Sequence, residues 1–229
     1  MKKLRNPFKS FTAFECVLWI SSVVIVFISF ILSPDKDPLT LAASLFGVTA
    51  LIFVAKGLVF GQVLVVIFAL LYGITSCIFS YYGEMITYVF MSAPAAVFAI
   101  FSWLQNPYGK SGEVKIAKLS FKKIAVCFLI SIAVSFVFYF ILKWLGTANI
   151  IVSTISVLTS FFAALLTYLR SPLYALAYST NDIVLIIMWI LASIKDHGYI
   201  PMIFCFVMFL INDIYGFVNW CRLAKKQGG

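Results

Sequence analysis

Apolar residues in this chain come in long, nearly unbroken runs. They show neither the period-two alternation of a half-buried strand nor the narrow stripe of a soluble helix. Eight runs reach the ~20 residues that carry a helix across a bilayer: residues 14–33, 39–60, 61–82, 85–104, 124–145, 149–169, 172–194 and 199–221. Together they occupy almost the whole chain and leave no room for a soluble domain with chemistry of its own. The pattern predicts an all-α integral membrane protein with eight transmembrane helices.

Most connections between the runs are short. The exception, 105–122, begins Gln105-Asn106-Pro107-Tyr108-Gly109 and reads as a polar, basic linker. Similar residues recur in the same order on either side of it. Tyr72, Gly83, Met85, Ile86, Phe98 and Trp103 come before, and Trp189, Gly198, Met202, Ile203, Tyr215 and Trp220 come after. This order predicts a 3+1+3 plan. A three-helix repeat over 39–104 is followed by a basic linker and linker helix over 105–148, then by a second three-helix repeat and tail over 149–229. Residues 1–38 supply the N-terminus and one extra helix outside the repeat. A single linker helix gives the two units the same orientation, as in parallel-repeat carriers of the SWEET type.

Composition agrees. The chain is 63% hydrophobic and 11% charged, with a mean hydropathy of +1.08, whereas soluble domains are about 25% charged. The net charge of +9 would fit a nucleic-acid binder if the basic residues formed one patch, but eight spans sort them by side. Lys2, Lys3, Arg5, Lys9, Lys56, Lys110, Lys115, Lys118, Lys122, Lys123, Arg170, Arg222, Lys225 and Lys226 fall on one side, and only Lys36, Lys143 and Lys195 on the other. The positive-inside rule then makes both termini cytoplasmic, so the expected partner is the lipid bilayer of the plasma membrane and not nucleic acid. A cleaved signal peptide is disfavoured, because the first run is too long and lacks a small-x-small site. Cys16, Cys77, Cys127, Cys205 and Cys221 form no C-x-x-C pair and His197 is the only histidine, so no metal and no cofactor is expected. The sequence holds no G-x-x-x-x-G-K-[ST] phosphate loop.

Candidate chemistry lies in the last two runs. Asp182 and Asp213 each follow an asparagine, Asn181 and Asn212, well inside apolar sequence. A carboxylate at the centre of a membrane helix costs roughly 2.5–3.5 kcal/mol on insertion scales, so it is expected to face a cavity or a partner. On the seventh helix, Tyr178, Asp182 and Trp189 share a face with Asn181 beside it. On the eighth, Asn212, Tyr215 and Asn219 share one. These seven residues and Asp213 are the expected substrate contacts, and their mixture of carboxylate, amide and aromatic groups suits a cationic heteroaromatic ring bearing hydroxyls. Helix bridging is the competing role for the Asn and Asp side chains. Asp213 has the further option of holding Lys56 or Arg170, and Trp189 that of simple packing. Trp103, Trp144 and Trp220, at helix ends, are expected in the interfacial aromatic belt. Pro94 predicts a bend in the fourth helix, and Phe128, Phe136, Phe138 and Phe140 predict an outward face on the fifth.

Several stretches resemble the PnuC family of bacterial vitamin transporters. They are Lys56-Gly57, Tyr82-Gly83-Glu84-Met85, Asn181-Asp182 seven residues before Trp189, and Asn212-Asp213-Ile214-Tyr215-Gly216-Phe217-Val218-Asn219-Trp220. The likeness covers about 39–222. It implies a SWEET-like fold, a homotrimer, and uptake of nicotinamide riboside by facilitated diffusion, with trapping by a separate cytoplasmic kinase. Relatives in that family carry thiamine or riboflavin. This chain has Tyr174 and Tyr178 where nicotinamide riboside carriers have a W-x-x-W pair, and Ala95 and Ala96 where relatives often have a polar residue. A thiamine or other vitamin carrier on the same scaffold, a non-transporting membrane subunit and an intramembrane aspartyl hydrolase are the alternatives. The Asn-Asp contexts differ from the Tyr-Asp and Gly-x-Gly-Asp of that hydrolase class.

Overall fold

The computed structural model describes residues 11–34, 36–78, 82–109, 112–147, 149–194 and 196–228. Lys2, Lys3, Arg5, Lys9, Lys110 and Lys195 of the charge asymmetry lie outside the described residues. Among the described residues, eight helices are long and apolar enough to cross a membrane: α1 Ala13–Leu32, α2 Pro38–Ala55, α3 Val59–Ile78, α4 Tyr82–Gln105, α5 Phe121–Trp144, α6 Ile150–Tyr168, α7 Leu173–Ser193 and α8 Ile200–Gly228. A short 3-10 turn, His197–Tyr199, leads into α8.

Local chemistry sets the boundaries. Thr12 caps α1 in a reciprocal box with Glu15, and Asp37 caps α2 ahead of Pro38. The second and third runs, which hydropathy divides between residues 60 and 61, are split instead at Gly57. Its φ of +67° places it in the left-handed region, where glycine carries no Cβ penalty. The Gly57 and Leu58 N–H groups donate back to the Val54 and Phe53 carbonyls, closing the helix in the Schellman pattern. The turn after α6 repeats this arrangement without a glycine. Arg170 has φ +58°, and the Arg170 and Ser171 N–H groups donate to the Thr167 and Leu166 carbonyls.

Helix α4 opens earlier than its apolar run, so Glu84 is drawn into the buried interior. Its middle, Thr87–Ser92, is π-helical, and the Ala93 N–H donates to the Tyr88 carbonyl. The widened turn ends just before Pro94, which cannot donate a backbone hydrogen bond. The bend expected from Pro94 is thus a π-turn with the proline at its foot. Helix α8 runs well past the end of its apolar stretch, and its last turn reaches the linker.

That polar, basic linker makes ordered backbone contacts with the bundle. Pro107 and Val114 form an antiparallel bridge across a turn, and Leu58 bridges Glu113. The Val114 N–H donates to the Gly57 carbonyl at 2.9 Å, and the Ala117 N–H to the Arg170 carbonyl at 3.0 Å. Gln227 of α8 accepts from the Ile116 N–H and donates to the Val114 carbonyl. The linker therefore fastens the α2–α3 turn, the α6–α7 turn and the α8 tail at one end of the bundle, called the linker side below.

Two of the three helix-end tryptophans depart from the belt expectation. Trp103 and Trp220 are fully buried with ring centroids 5.4 Å apart, whereas Trp144 is 85% exposed. The reason is hydrogen bonding. Trp103, on α4, donates its indole N–H to the Thr167 carbonyl at the end of α6. Trp220, on α8, donates to the Val54 carbonyl at the end of α2. A buried indole meets a helix-end carbonyl in each case, which is worth more than a place among headgroups. On α5, Phe128, Phe136 and Phe140 do point outward, while Phe138 packs against Met91, Leu142 and Val157.

Candidate functional site

A mid-bundle cavity is walled by α2, α3, α4, α6, α7 and α8. Its polar lining comes from Gln62, Tyr88, Ser92, Ser160, Tyr174, Tyr178, Asn181, Asp182 and Asp213. Asp182 is the tenth residue of the 21-residue α7, so the carboxyl sits near the centre of the span. Asp182 and Asp213 are both buried and line the same cavity, one on α7 and the other on α8. Asp182 Oδ2 has no protein partner. Buried carboxyl oxygens are normally satisfied, so an orphan at a cavity wall marks a place for a ligand.

Asn181 is held by α6. Thr159 Oγ1 and Ser156 Oγ donate to its Oδ1 at 2.9 and 3.3 Å. Its acceptor is thereby occupied, and what it offers the cavity is its amide N–H groups. Among the described residues, no lysine or arginine lines the cavity. Lys56 is spoken for by Glu15 at 2.8 Å, and Arg170 lies in the turn beyond α6. The alternative open to Asp213, a pairing with Lys56 or Arg170, therefore does not form. Glu15 takes Lys56 because both stand at the linker-side ends of neighbouring helices, whereas Asp213 sits deeper in α8.

Aromatic rings close both ends. On the linker side, Tyr174 packs on Trp220 with centroids 4.7 Å apart, and Trp103 backs them. On the opposite side, Phe68, Tyr72, Tyr88, Trp189, Phe206 and Phe209 form a continuous ring cluster. Tyr72 and Tyr88 approach to 4.3 Å, and Trp189 donates its indole N–H to the Tyr72 hydroxyl at 3.1 Å. Gly47 admits the Phe209 ring, since a Cβ there would overlap it. The enclosed space is about 60 Å³, against about 300–1,000 Å³ for sites that hold drug-sized ligands. A nucleoside-sized guest needs one of the aromatic closures to swing aside.

Of the eight residues expected at the site, the structure brings four together: Tyr178, Asn181, Asp182 and Asp213. The other four look elsewhere. Trp189 belongs to the aromatic closure. Asn212, Tyr215 and Asn219 do lie on one side of α8, but that side faces other helices. Asn212 donates to Ser22 Oγ of α1 at 3.0 Å, Tyr215 donates to Glu15 Oε1 at 2.8 Å, and Asn219 donates to the Ala55 carbonyl at 2.9 Å. The neighbouring face of α8, with Phe209, Asp213 and Gly216, meets the cavity or the helices that line it. Sequence reasoning missed Gln62, Tyr88, Ser92 and Ser160, isolated polar positions in otherwise apolar runs. Gln62 and Ser160 carry the clearest signal, as polar residues within spans on either side of the linker.

A family model described as "Nicotinamide mononucleotide transporter" matches residues 37–222, which takes in every cavity residue. The chain belongs to this family. It is a multi-pass membrane transporter and not an enzyme, so the hydrolase reading of the two aspartates is set aside. A curated relative, the nicotinamide riboside transporter PnuC of Neisseria mucosa, is 26% identical over 98% of this chain and 87% of its own length. A solved structure described as the vitamin B3 transporter PnuC superposes with a TM-score of 0.83 at 26% identity, over 95% of this chain and 94% of that one. The likeness includes α1 as well as the seven helices after it.

Proposed function

We propose that this protein carries nicotinamide riboside across the plasma membrane by facilitated diffusion. The observation that carries the reading is the lining of the central cavity: two carboxyls, an amide and two tyrosines from α7 and α8, with no lysine or arginine. A pyridinium ring is held by carboxylates and by aromatic faces, the latter worth up to ~2 kcal/mol when desolvated. Ribose hydroxyls pair with amide N–H and carboxylate oxygen. The same lining disfavours a phosphorylated nucleotide, whose negative charge would meet Asp182 and Asp213 with no cation to balance it. A separate cytoplasmic kinase would then trap the substrate by adding the charge that this cavity rejects.

Uptake of radiolabelled nicotinamide riboside into proteoliposomes holding only this protein tests the reading. Excess unlabelled riboside should abolish the signal, and the mononucleotide should not compete. Strong competition by thiamine with weak competition by nicotinamide riboside would make the protein a thiamine carrier on this scaffold. No uptake of either would leave a non-transporting subunit.

The reciprocal tryptophan bonds support the 3+1+3 plan. The third helix of each proposed repeat caps the first helix of the other, and the linker binds the turn after each of those first helices. Both termini and the linker are proposed to be cytoplasmic, so reporter fusions at the C-terminus and near Lys115 should agree and one at Lys36 should not. The homotrimer that the family resemblance implies is to be checked by native mass spectrometry.

A further inference from the structure

Glu84 has no part in the cavity just described. Its side chain is 2% exposed, and its Oε2 is buried without a partner. It sits in the first turn of α4, at the end of the bundle away from the linker. Tyr88, one turn further along the same face, lies between it and the cavity. Tyr88 is within electrostatic reach of both Glu84 and Asp182, and Tyr72 is within reach of Glu84. No lysine or arginine pairs with Glu84 among the described residues. A buried carboxyl with an unmet oxygen destabilises the fold, so structural need does not account for it.

We propose that Glu84 is a second binding station for the cationic ring, outside the Tyr72–Tyr88–Trp189 closure and distinct from the Asp182–Asp213 site. It rests on the proposed function and on the proposed orientation, in which this end faces outward. A cation entering from that side first meets the Glu84 carboxylate and the faces of Tyr72 and Tyr88. When the rings part, it passes to the Asp182–Asp213 pair. Anionic groups at both ends of the closure keep the charge compensated along the path, so neither aromatic passage nor release has to proceed against an unbalanced ion.

The test compares uptake of nicotinamide riboside with uptake of its reduced dihydro form, which has nearly the same shape and no ring charge. Glu84→Gln is expected to raise the KM for the cation about tenfold and to leave the KM for the neutral form unchanged. Calorimetric Kd at the central site should stay put, whereas Asp182→Asn raises it. Glu84→Asp should restore most of the cation's KM, and Glu84→Gln should unfold no more easily than wild type. An equal KM change for both substrates, no change for either, or a Kd that shifts in step with KM would overturn the station. A wild type that carries neither substrate would overturn the function itself and the station with it.

Discussion

Asp182 and Asp213 are the residues on which a substitution speaks most directly to mechanism. Asp182→Asn is expected to weaken nicotinamide riboside binding by about 1.5–3 kcal/mol, the range for a hydrogen bond to a charged group, and Asp213→Asn to weaken it less. The reason is that Asp182 lies nearer mid-span and holds the orphan oxygen. Calorimetric titration of the two variants checks the order, and equal affinities in folded proteins would make the pair a helix bridge. The two aspartates and their asparagines were legible in the sequence because charge is conspicuous inside an apolar run. Which face of α8 meets the cavity was not. Asn212 and Asp213 are adjacent and point about 100° apart, and only the position of α1 decides that Asn212 turns to Ser22 while Asp213 turns inward. Glu84 was read as lying outside its span because hydropathy starts α4 a few residues late. The tryptophans were placed in the belt for a similar reason: a sequence shows that a Trp lies at a helix end and does not show that a neighbouring helix ends there with a carbonyl to receive it.

Among the elements, α1 shows how an added helix is attached. Glu15 in its first turn takes the Lys56 ammonium and the Tyr215 hydroxyl, which ties α1 to the α2–α3 turn and to α8 at once. Lys56→Met should therefore destabilise the protein by about 3–5 kcal/mol, because it strands a buried carboxylate. The double variant Glu15→Gln/Lys56→Met should recover most of that loss. Unfolding in a denaturing-detergent titration measures both, and equal losses in the single and double variants would show that the cost is not that of a stranded carboxylate. The helices themselves were plain in the sequence, since eight apolar runs became eight helices. Their ends were not plain wherever two runs abut, because hydropathy is blind to a left-handed residue such as Gly57 between two apolar stretches. The linker's hold on the bundle was not legible for a related reason. Its polar side chains face out, but its backbone N–H groups bind inward, and composition reports only the side chains.

For the whole molecule, the energetics follow from what the cavity contains. A carrier that binds a cation on carboxylates alone needs no second ion to balance it. Uptake into proteoliposomes is accordingly expected to persist, without accumulation, when proton gradient and membrane potential are collapsed. Loss of uptake on de-energising would instead assign a proton-carrying role to the aspartate pair. The strap across one end has a consequence for how motion can be seen. The amides of Val114 and Ala117 each bind a carbonyl in a different one of the two helical turns they join. If the turns separate when that end opens, both bonds break together, and if the other end opens both survive. Those two amide protons are thus a built-in clock for one half of the transport cycle. Their deuterium uptake should rise and fall together, quicken in conditions that open the linker side, and stay slow when only the aromatic closure beside Tyr72 gives way.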